Sequence, residues 1–324
     1  MLIDPHGRVV RDLRVSVTDR CNFRCAYCMP AEGMNWLPRE QVLTFEEIER
    51  VARVCVERFG FDGIRITGGE PTVRAHLPVL VEKLSRLGID VAMTTNGIKL
   101  RELAHDLRAA GLNRLNISLD SLRPDRFLQL TRRDALDAVV DGIDAALDAG
   151  FDPVKLNVVL MRGINDDEVV DLATFARERG VEARFIEFMP LDADDDWSAD
   201  KVVPSAEVVA AIAAVYPVEA VVQGSEPAAR YRYLDGQGAF GVIATVTEPF
   251  CGSCDRVRIT AEGRFRNCLF AVEETDLRAL LRGAASDDEL ADAMRADVGR
   301  KWAGHTIGQV QFVRPPRTMS QIGG

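Results

Sequence analysis

Leu13-Arg-Val-Ser-Val-Thr-Asp-Arg-Cys-Asn-Phe-Arg-Cys-Ala-Tyr-Cys28 runs from an apolar–polar alternation into three cysteines spaced C-x₃-C-x₂-C. The alternation reads as a β-strand, and the cysteines follow it in one tight loop where their sulfurs can converge. Three thiolates are one short of closing a four-iron cluster, and a cubane held by three cysteines leaves one iron open to a substrate. Tyr27 beside the last cysteine suits a site that shields a cluster and holds an adenine-sized ligand. A zinc knuckle or free thiols are the competing readings. Zinc normally takes a fourth Cys or His nearby, and the nearest His in sequence is His6.

Outward from this loop, strand-like runs alternate with amphipathic helical patterns up to about residue 190. The strand candidates are 13–18, 63–67, 90–95, 114–119, 154–160 and 183–189, and the helical patterns cover 45–59, 77–87, 100–110, 135–149 and 167–179. Six βα units predict a parallel α/β sheet curled into a partial, TIM-like barrel with one side open. The strands place Arg14, Arg65, Asn116, Ser118, Lys155 and Asn157 on one face, opposite Leu13, Ile64, Leu115 and Leu156. A parallel sheet packed on both faces would read as continuous apolar runs, so the polar face is expected to line a wet lumen. Residues 1–190 are expected to form this barrel. Residues 191–324, beginning with the acidic loop 191–196, are expected to form a smaller α+β region closing the open side.

Composition sets limits. The 324 residues carry a net charge of −10, against nonspecific nucleic-acid binding, and 47% hydrophobic residues, enough for a sizeable core. No apolar run of membrane-spanning length and no signal-peptide pattern is present, so no membrane partner and a cytoplasmic location are expected. Of seven cysteines, three lie at 21–28 and three at 251, 254 and 268. Cys55 shares helical spacing with Ile48, Ala52 and Phe59 and reads as a core thiol. The second trio again lacks a local fourth ligand. No His stands between His105 and His305, so a Cys₃His zinc site there needs a remote ligand such as His305. No P-loop pattern occurs, against ordinary NTP hydrolysis.

Further motifs lie in order along the chain: Arg65-Ile-Thr-Gly-Gly-Glu-Pro71, Thr94-Thr-Asn-Gly97, Asn116-Ile-Ser-Leu-Asp120, Lys155-Leu-Asn157, Phe185-Ile-Glu-Phe-Met189, Cys251-Gly-Ser-Cys-Asp-Arg-Val-Arg258, Cys268 and Gly323-Gly324. With Arg14–Pro30, this set resembles the radical S-adenosylmethionine (SAM) enzymes and, more narrowly, the GTP 3′,8-cyclases of molybdenum cofactor biosynthesis. The resemblance implies two 4Fe-4S clusters, one on Cys21, Cys25 and Cys28 that binds SAM, and one on Cys251, Cys254 and Cys268 that binds GTP. It implies SAM contacts at Tyr27, Gly69, Ser118 and Met189. GTP contacts would fall at Arg14, Arg65, Thr94, Lys155, Arg256, Val257 and Arg258. The Gly323-Gly324 tail would assist catalysis from inside the active site.

The implied chemistry begins with an electron that cleaves SAM to a 5′-deoxyadenosyl radical. The radical takes hydrogen from ribose C3′, and the carbon radical attacks guanine C8. Reduction gives (8S)-3′,8-cyclo-7,8-dihydroguanosine 5′-triphosphate. No side chain stands out as a general acid or base. The implied partners are an external one-electron reductant of the flavodoxin or ferredoxin type and the next enzyme of the pathway, and a homodimer is admitted. The rival readings are a peptide-modifying radical enzyme, whose auxiliary region usually holds more cysteines, a ferredoxin-like carrier and a zinc-scaffolded interaction protein.

Overall fold

The computed structural model describes residues 1–222 and 226–323. An N-terminal hairpin pairs β1 (Leu2–Ile3) with β2 (Val9–Val10). The βα series follows as β3 (Asp12–Ser16), α1 (Phe45–Phe59), β4 (Gly63–Thr67), α2 (Leu77–Ser85), β5 (Asp90–Thr95), α3 (Leu100–Ala109), β6 (Arg114–Ser118), α4 (Pro124–Thr131), α5 (Leu136–Asp148), β7 (Val154–Leu160), α6 (Val169–Glu178) and β8 (Glu182–Glu187). After it come α7 (Ser205–Ala213), β9 (Val218–Ala220), β10 (Ala229–Tyr233), β11 (Ala239–Ile243), β12 (Arg256–Ile259), β13 (Arg264–Arg266), β14 (Thr275–Asp276), α8 (Leu277–Arg282), α9 (Asp287–Val298) and α10 (Met319–Ile322).

Local chemistry explains the elements. Helix α1 opens on a reciprocal cap between Thr44 and Glu47 and stops at Gly60, whose φ of 74° suits glycine. Its inward face carries Ile48, Val51, Ala52, Cys55 and Phe59, all buried, so Cys55 is the core thiol its spacing predicts. Helix α4 is absent from the sequence reading. It is one short stretch with proline at its start, and its function is local. Phe127 packs edge-on against Phe23 of the cysteine loop at 5.9 Å, and the Leu130 and Thr131 carbonyls accept from the Ala26 and Arg24 amides.

The main sheet runs β14-β13-β12-β3-β4-β5-β6-β7-β8-β11-β10-β9 and does not close on itself. The six βα strands are parallel neighbours in chain order. They form the predicted partial barrel. Strands from the second half of the chain complete both of its edges, β12 parallel to β3 and β11 parallel to β8. This covers the unpaired edges that a six-stranded arc would expose.

The acidic loop 191–196 is solvated at Asp194, Asp195 and Asp196 but anchored at its start. Asp192 is buried and accepts from Arg314 Nη2 at 2.9 Å, Arg314 also pairs with Asp195, and the Leu191 carbonyl accepts from the Met319 amide. The loop is thus a clamp on the C-terminal segment, a role that its charge alone does not reveal. Among the described residues no helix is long and apolar enough to cross a membrane.

Candidate active site

The alternation of the strands has the predicted consequence. Leu13, Ile64, Leu115, Ile117 and Leu156 are buried in the core, while Arg14, Arg65, Asn116, Ser118 and Asn157 line a cavity of about 620 Å³. All six motif cysteines line it too. They stand at opposite ends of the parallel strands. Cys21, Cys25 and Cys28 follow the C-terminal end of β3, whereas Cys251 and Cys254 precede the N-terminal end of β12, which lies beside β3 with Arg256 opposite Asp12.

The first cysteine loop is shaped by its own backbone and by two neighbouring loops. The Cys28 and Met29 amides donate to the Cys25 carbonyl at 2.9 and 3.0 Å. Gly69 lies so close that a Cβ there would sit 2.4 Å from the Arg20 carbonyl oxygen, so only glycine fits. The adjacent Glu70 is buried and accepts from Thr72, from Thr95 Oγ1 at 2.7 Å and from the Asn96 amide at 2.7 Å. Asn96 Nδ2 in turn donates to Asn22 Oδ1 at 2.7 Å, which ties three loops together. Burial pushes the Cys21 thiol up to about 11 and Cys28 to about 12, and burial with the neighbouring Cys28 raises Cys25. Tyr27 Oη donates to Asp120 Oδ2 at 2.6 Å, and burial pushes that carboxyl up to about 6. Tyr27, Gly69, Ser118 and Met189 all line the cavity at this end.

Between the cysteine sets lies a row of cations. Register aligns Arg258 of β12 with Arg14 of β3, and Arg14 with Arg65 of β4. Arg14 Nε, Arg65 Nε and Nη1, and Arg256 Nε are buried without a hydrogen-bond partner, as is Asn157 Oδ1. Burial lowers Arg14 well below the usual arginine range, helped by Arg258, Arg256 and Arg65, and burial lowers Arg258 to about 10. Asp12 offsets part of this charge and Asp255 stands 3.8 Å from Arg256, but the N–H groups left without partners are costly until an anion enters.

Thr94 lines the cavity with them. Lys155 and Val257 do not: Lys155 Nζ is 3.9 Å from Glu226, and the Val257 side chain is fully buried between its cavity-lining neighbours Arg256 and Arg258. The sequence reading missed Arg184, which lines the cavity and donates to Glu226 at 2.7 Å. It also missed Asp120. Strand parity could have found Arg184, two residues beyond Glu182 on the inward face of β8.

At the other end, Cys251, Cys254 and Cys268 come from two separate segments, and all six motif cysteines are free thiols. Burial raises Cys251, with Cys268 and Cys254 nearby adding to it, so these thiols sense one another. Cys254 is held below its ordinary value despite burial, because Arg256 and Lys301 stand beside it. His305 Nε2 donates to the Thr245 carbonyl at 2.8 Å, which occupies the ring nitrogen facing that way. Among the described residues no group of three or more His, Cys, Asp and Glu is placed to hold a single metal ion. Two sets of three mutually sensing thiols on one cavity, with no fourth ligand, fit clusters that each keep an open iron.

The C-terminal segment ends against the cation row. Gly323 has φ 81°, its carbonyl accepts from Arg258 Nη1 at 2.8 Å, and a Cβ would fall 2.9 Å from Thr67 and 3.0 Å from Ser16. Gly324 lies outside the described residues.

Residues 15–176 match the radical SAM superfamily, and residues 181–307 match the family described as Molybdenum Cofactor Synthesis C. A GTP 3′,8-cyclase of Streptomyces coelicolor is 49% identical over 329 residues, covering 100% of this chain and 96% of that protein. One from Rhodopirellula baltica is 46% identical over 330 residues, covering 100% and 92%. The crystal structure of Streptococcus suis SuiB bound to S-adenosylmethionine shares the fold, with TM-score 0.64 and 14% identity over 89% of this chain and 68% of that one. With two three-cysteine sets facing one cavity, full-length identity at this level and both family regions in order, the chain belongs to the GTP 3′,8-cyclase family of radical SAM enzymes.

Proposed function

We propose that the cavity binds SAM at the Cys21, Cys25 and Cys28 end and GTP at the Cys251, Cys254 and Cys268 end, and converts GTP to (8S)-3′,8-cyclo-7,8-dihydroguanosine 5′-triphosphate. The observation that carries this is the row Arg258, Arg14 and Arg65, with buried unpartnered N–H groups on Arg14 and Arg65, between the two cysteine sets. A triphosphate bears about four negative charges near neutrality and accepts bidentate bonds from arginine. When bound, the first cluster and SAM supply an adenosyl radical that can take hydrogen from ribose C3′, so that C3′ bonds to guanine C8.

The chain's own residues do the rest. Tyr27, Gly69, Ser118 and Met189 frame SAM. Arg14, Arg65, Thr94, Arg256 and Arg258 frame GTP from the cavity wall, with the backbone at Val257, and Lys155 beside Glu226 adds its charge from behind that wall. Guests that fill the cavity would keep water from the reacting carbon. Gly323 would close the space beside Arg258, and the two-glycine tail would assist catalysis.

In this reading residues 1–190 carry the SAM half and 191–324 the second cluster. The reaction draws electrons from an external one-electron carrier of flavodoxin or ferredoxin type, runs in the cytoplasm and hands its product to the next enzyme of the pathway. A homodimer is compatible with it. The test is anaerobic reconstitution with iron and sulfide, followed by GTP, SAM and reductant. About eight irons per chain and a cyclised nucleotide are expected. Stoichiometric zinc without labile sulfide, or GTP left unchanged by an iron-replete chain, overturns the reading.

A further inference from the structure

The second cysteine set has a companion that no motif announces. Lys301 is 3% exposed, yet its ammonium sits among sulfur and carbonyl oxygens rather than carboxylates. Nζ donates to the Arg256 carbonyl at 2.7 Å and to the Cys254 carbonyl at 3.4 Å, and reaches Cys254 Sγ at 3.8 Å. Those three acceptors match the three donors of an ammonium group. A buried cation on neutral carbonyls alone is costly; of the groups that favour its charge, Cys254 comes first, ahead of Cys268 and the more remote Asp4.

The N-terminal hairpin holds this arrangement. His6 Nε2 donates to the Lys301 carbonyl at 3.1 Å. Arg8 pairs with Asp4 and donates through Nη1 to the Cys251 carbonyl at 2.6 Å and the Ala303 carbonyl at 2.8 Å. Among the described residues no ammonium reaches a sulfur of the first cysteine set, where the nearby cation is Arg24. The buried charged neighbours of that set are Glu70 and Asp120, and Arg24 Nη1 goes to the Cys21 and Phe23 carbonyls at 2.7 Å.

We infer that Lys301 is a positioning residue for the second cluster: its ammonium, locked by the hairpin against the Cys254 sulfur, holds that cluster's reduction potential above the value it would have without the charge. Hydrogen bonds to the sulfurs and local net charge are established levers on cluster potential. The inference rests on the two-cluster reading.

It is tested by redox titration of the anaerobically reconstituted full chain, followed by EPR. The second-cluster signal is the one that survives when Cys21, Cys25 and Cys28 are all changed to Ser. Lys301→Met is expected to lower that cluster's reduced-to-oxidised ratio at a fixed potential by about tenfold, ~59 mV for one electron. The first cluster should not move, and Lys301→Arg should restore most of the shift. If Lys301→Met loses iron, Lys301→Gln keeps a donor without the charge and should show the same direction. An unchanged potential at full iron content overturns the inference, as does an equal shift of both clusters or loss of iron in the Met, Gln and Arg variants alike. An unsubstituted chain without a second signal overturns the two-cluster reading itself.

Discussion

The two ends of the cavity offer the same donor set in opposite electrostatic surroundings. At the first end, three thiols from one eight-residue loop are buried beside Glu70 and Asp120, and burial raises them all. At the second, thiols from two segments stand beside Arg256, Arg258 and Lys301, and Cys254 is lowered despite its burial. The first end favours a neutral or cationic guest and the second an anionic one. SAM carries a sulfonium and GTP a triphosphate, so on the proposed assignment of the two ends the field would sort the two guests before any specific contact forms.

The sharpest way to break this contrast is to remove one sulfur from each end. Cys25→Ser should abolish SAM cleavage. Cys268→Ser should keep some uncoupled cleavage while GTP turnover disappears, both measured as 5′-deoxyadenosine and cyclised nucleotide per chain. Equal loss of cleavage in two folded variants would refute the division.

Removing Gly323 and Gly324 should leave iron content and GTP binding nearly intact while cyclised product per SAM consumed falls sharply, because the Gly323 carbonyl is bound to Arg258. Unchanged coupling in the shortened chain would mean that the tail is only packing.

Arg14→Met and Arg65→Met test the cation row from both sides. Losing a charge-assisted hydrogen bond costs about 1.5–3 kcal/mol, so GTP affinity should fall about 10- to 100-fold by calorimetry. The ligand-free chain should melt at the same or a higher temperature, since a crowded, unpaired cation is gone. A lower melting point with unchanged affinity would make these arginines structural.

The smallest effect concerns pH. Burial, with Arg184 nearby, lowers Lys155 to about 8, so it is charged below that pH and neutral above it. Affinity for the triphosphate should therefore decline as pH rises through about 8, and Lys155→Met should flatten that part of the profile. A decline that persists in the variant would assign it to another group.

Legibility in the sequence followed locality. The six strands, the helix at 45–59 and the cysteine loop could be read because periodicity, capping residues and spacing lie within a few turns of chain. The arrangement of the second half could not. That β12 and β11 flank β3 and β8 depends on pairing between distant segments, which no local pattern encodes. For the same reason Lys301 stayed hidden past the end of a helix, acting only through what the fold brings to it, whereas Arg184 was within reach of strand parity. In the acidic run at 191–196, Asp194, Asp195 and Asp196 are exposed as their charge suggests, while Asp192 is buried against the distant Arg314, which no local pattern reveals.

The pairing of β12 with β3 also sets a timetable. Strand β3 (Asp12–Ser16) is made long before its partner β12 (Arg256–Ile259). At about 5–20 residues per second, the edge beside the first cysteine loop stays bare for on the order of tens of seconds. A bare edge invites pairing with another chain, and its late closure makes folding slow. Fragments that stop before residue 256 should therefore associate through β3, and iron supplied before release would meet a cavity whose far wall has not yet been made.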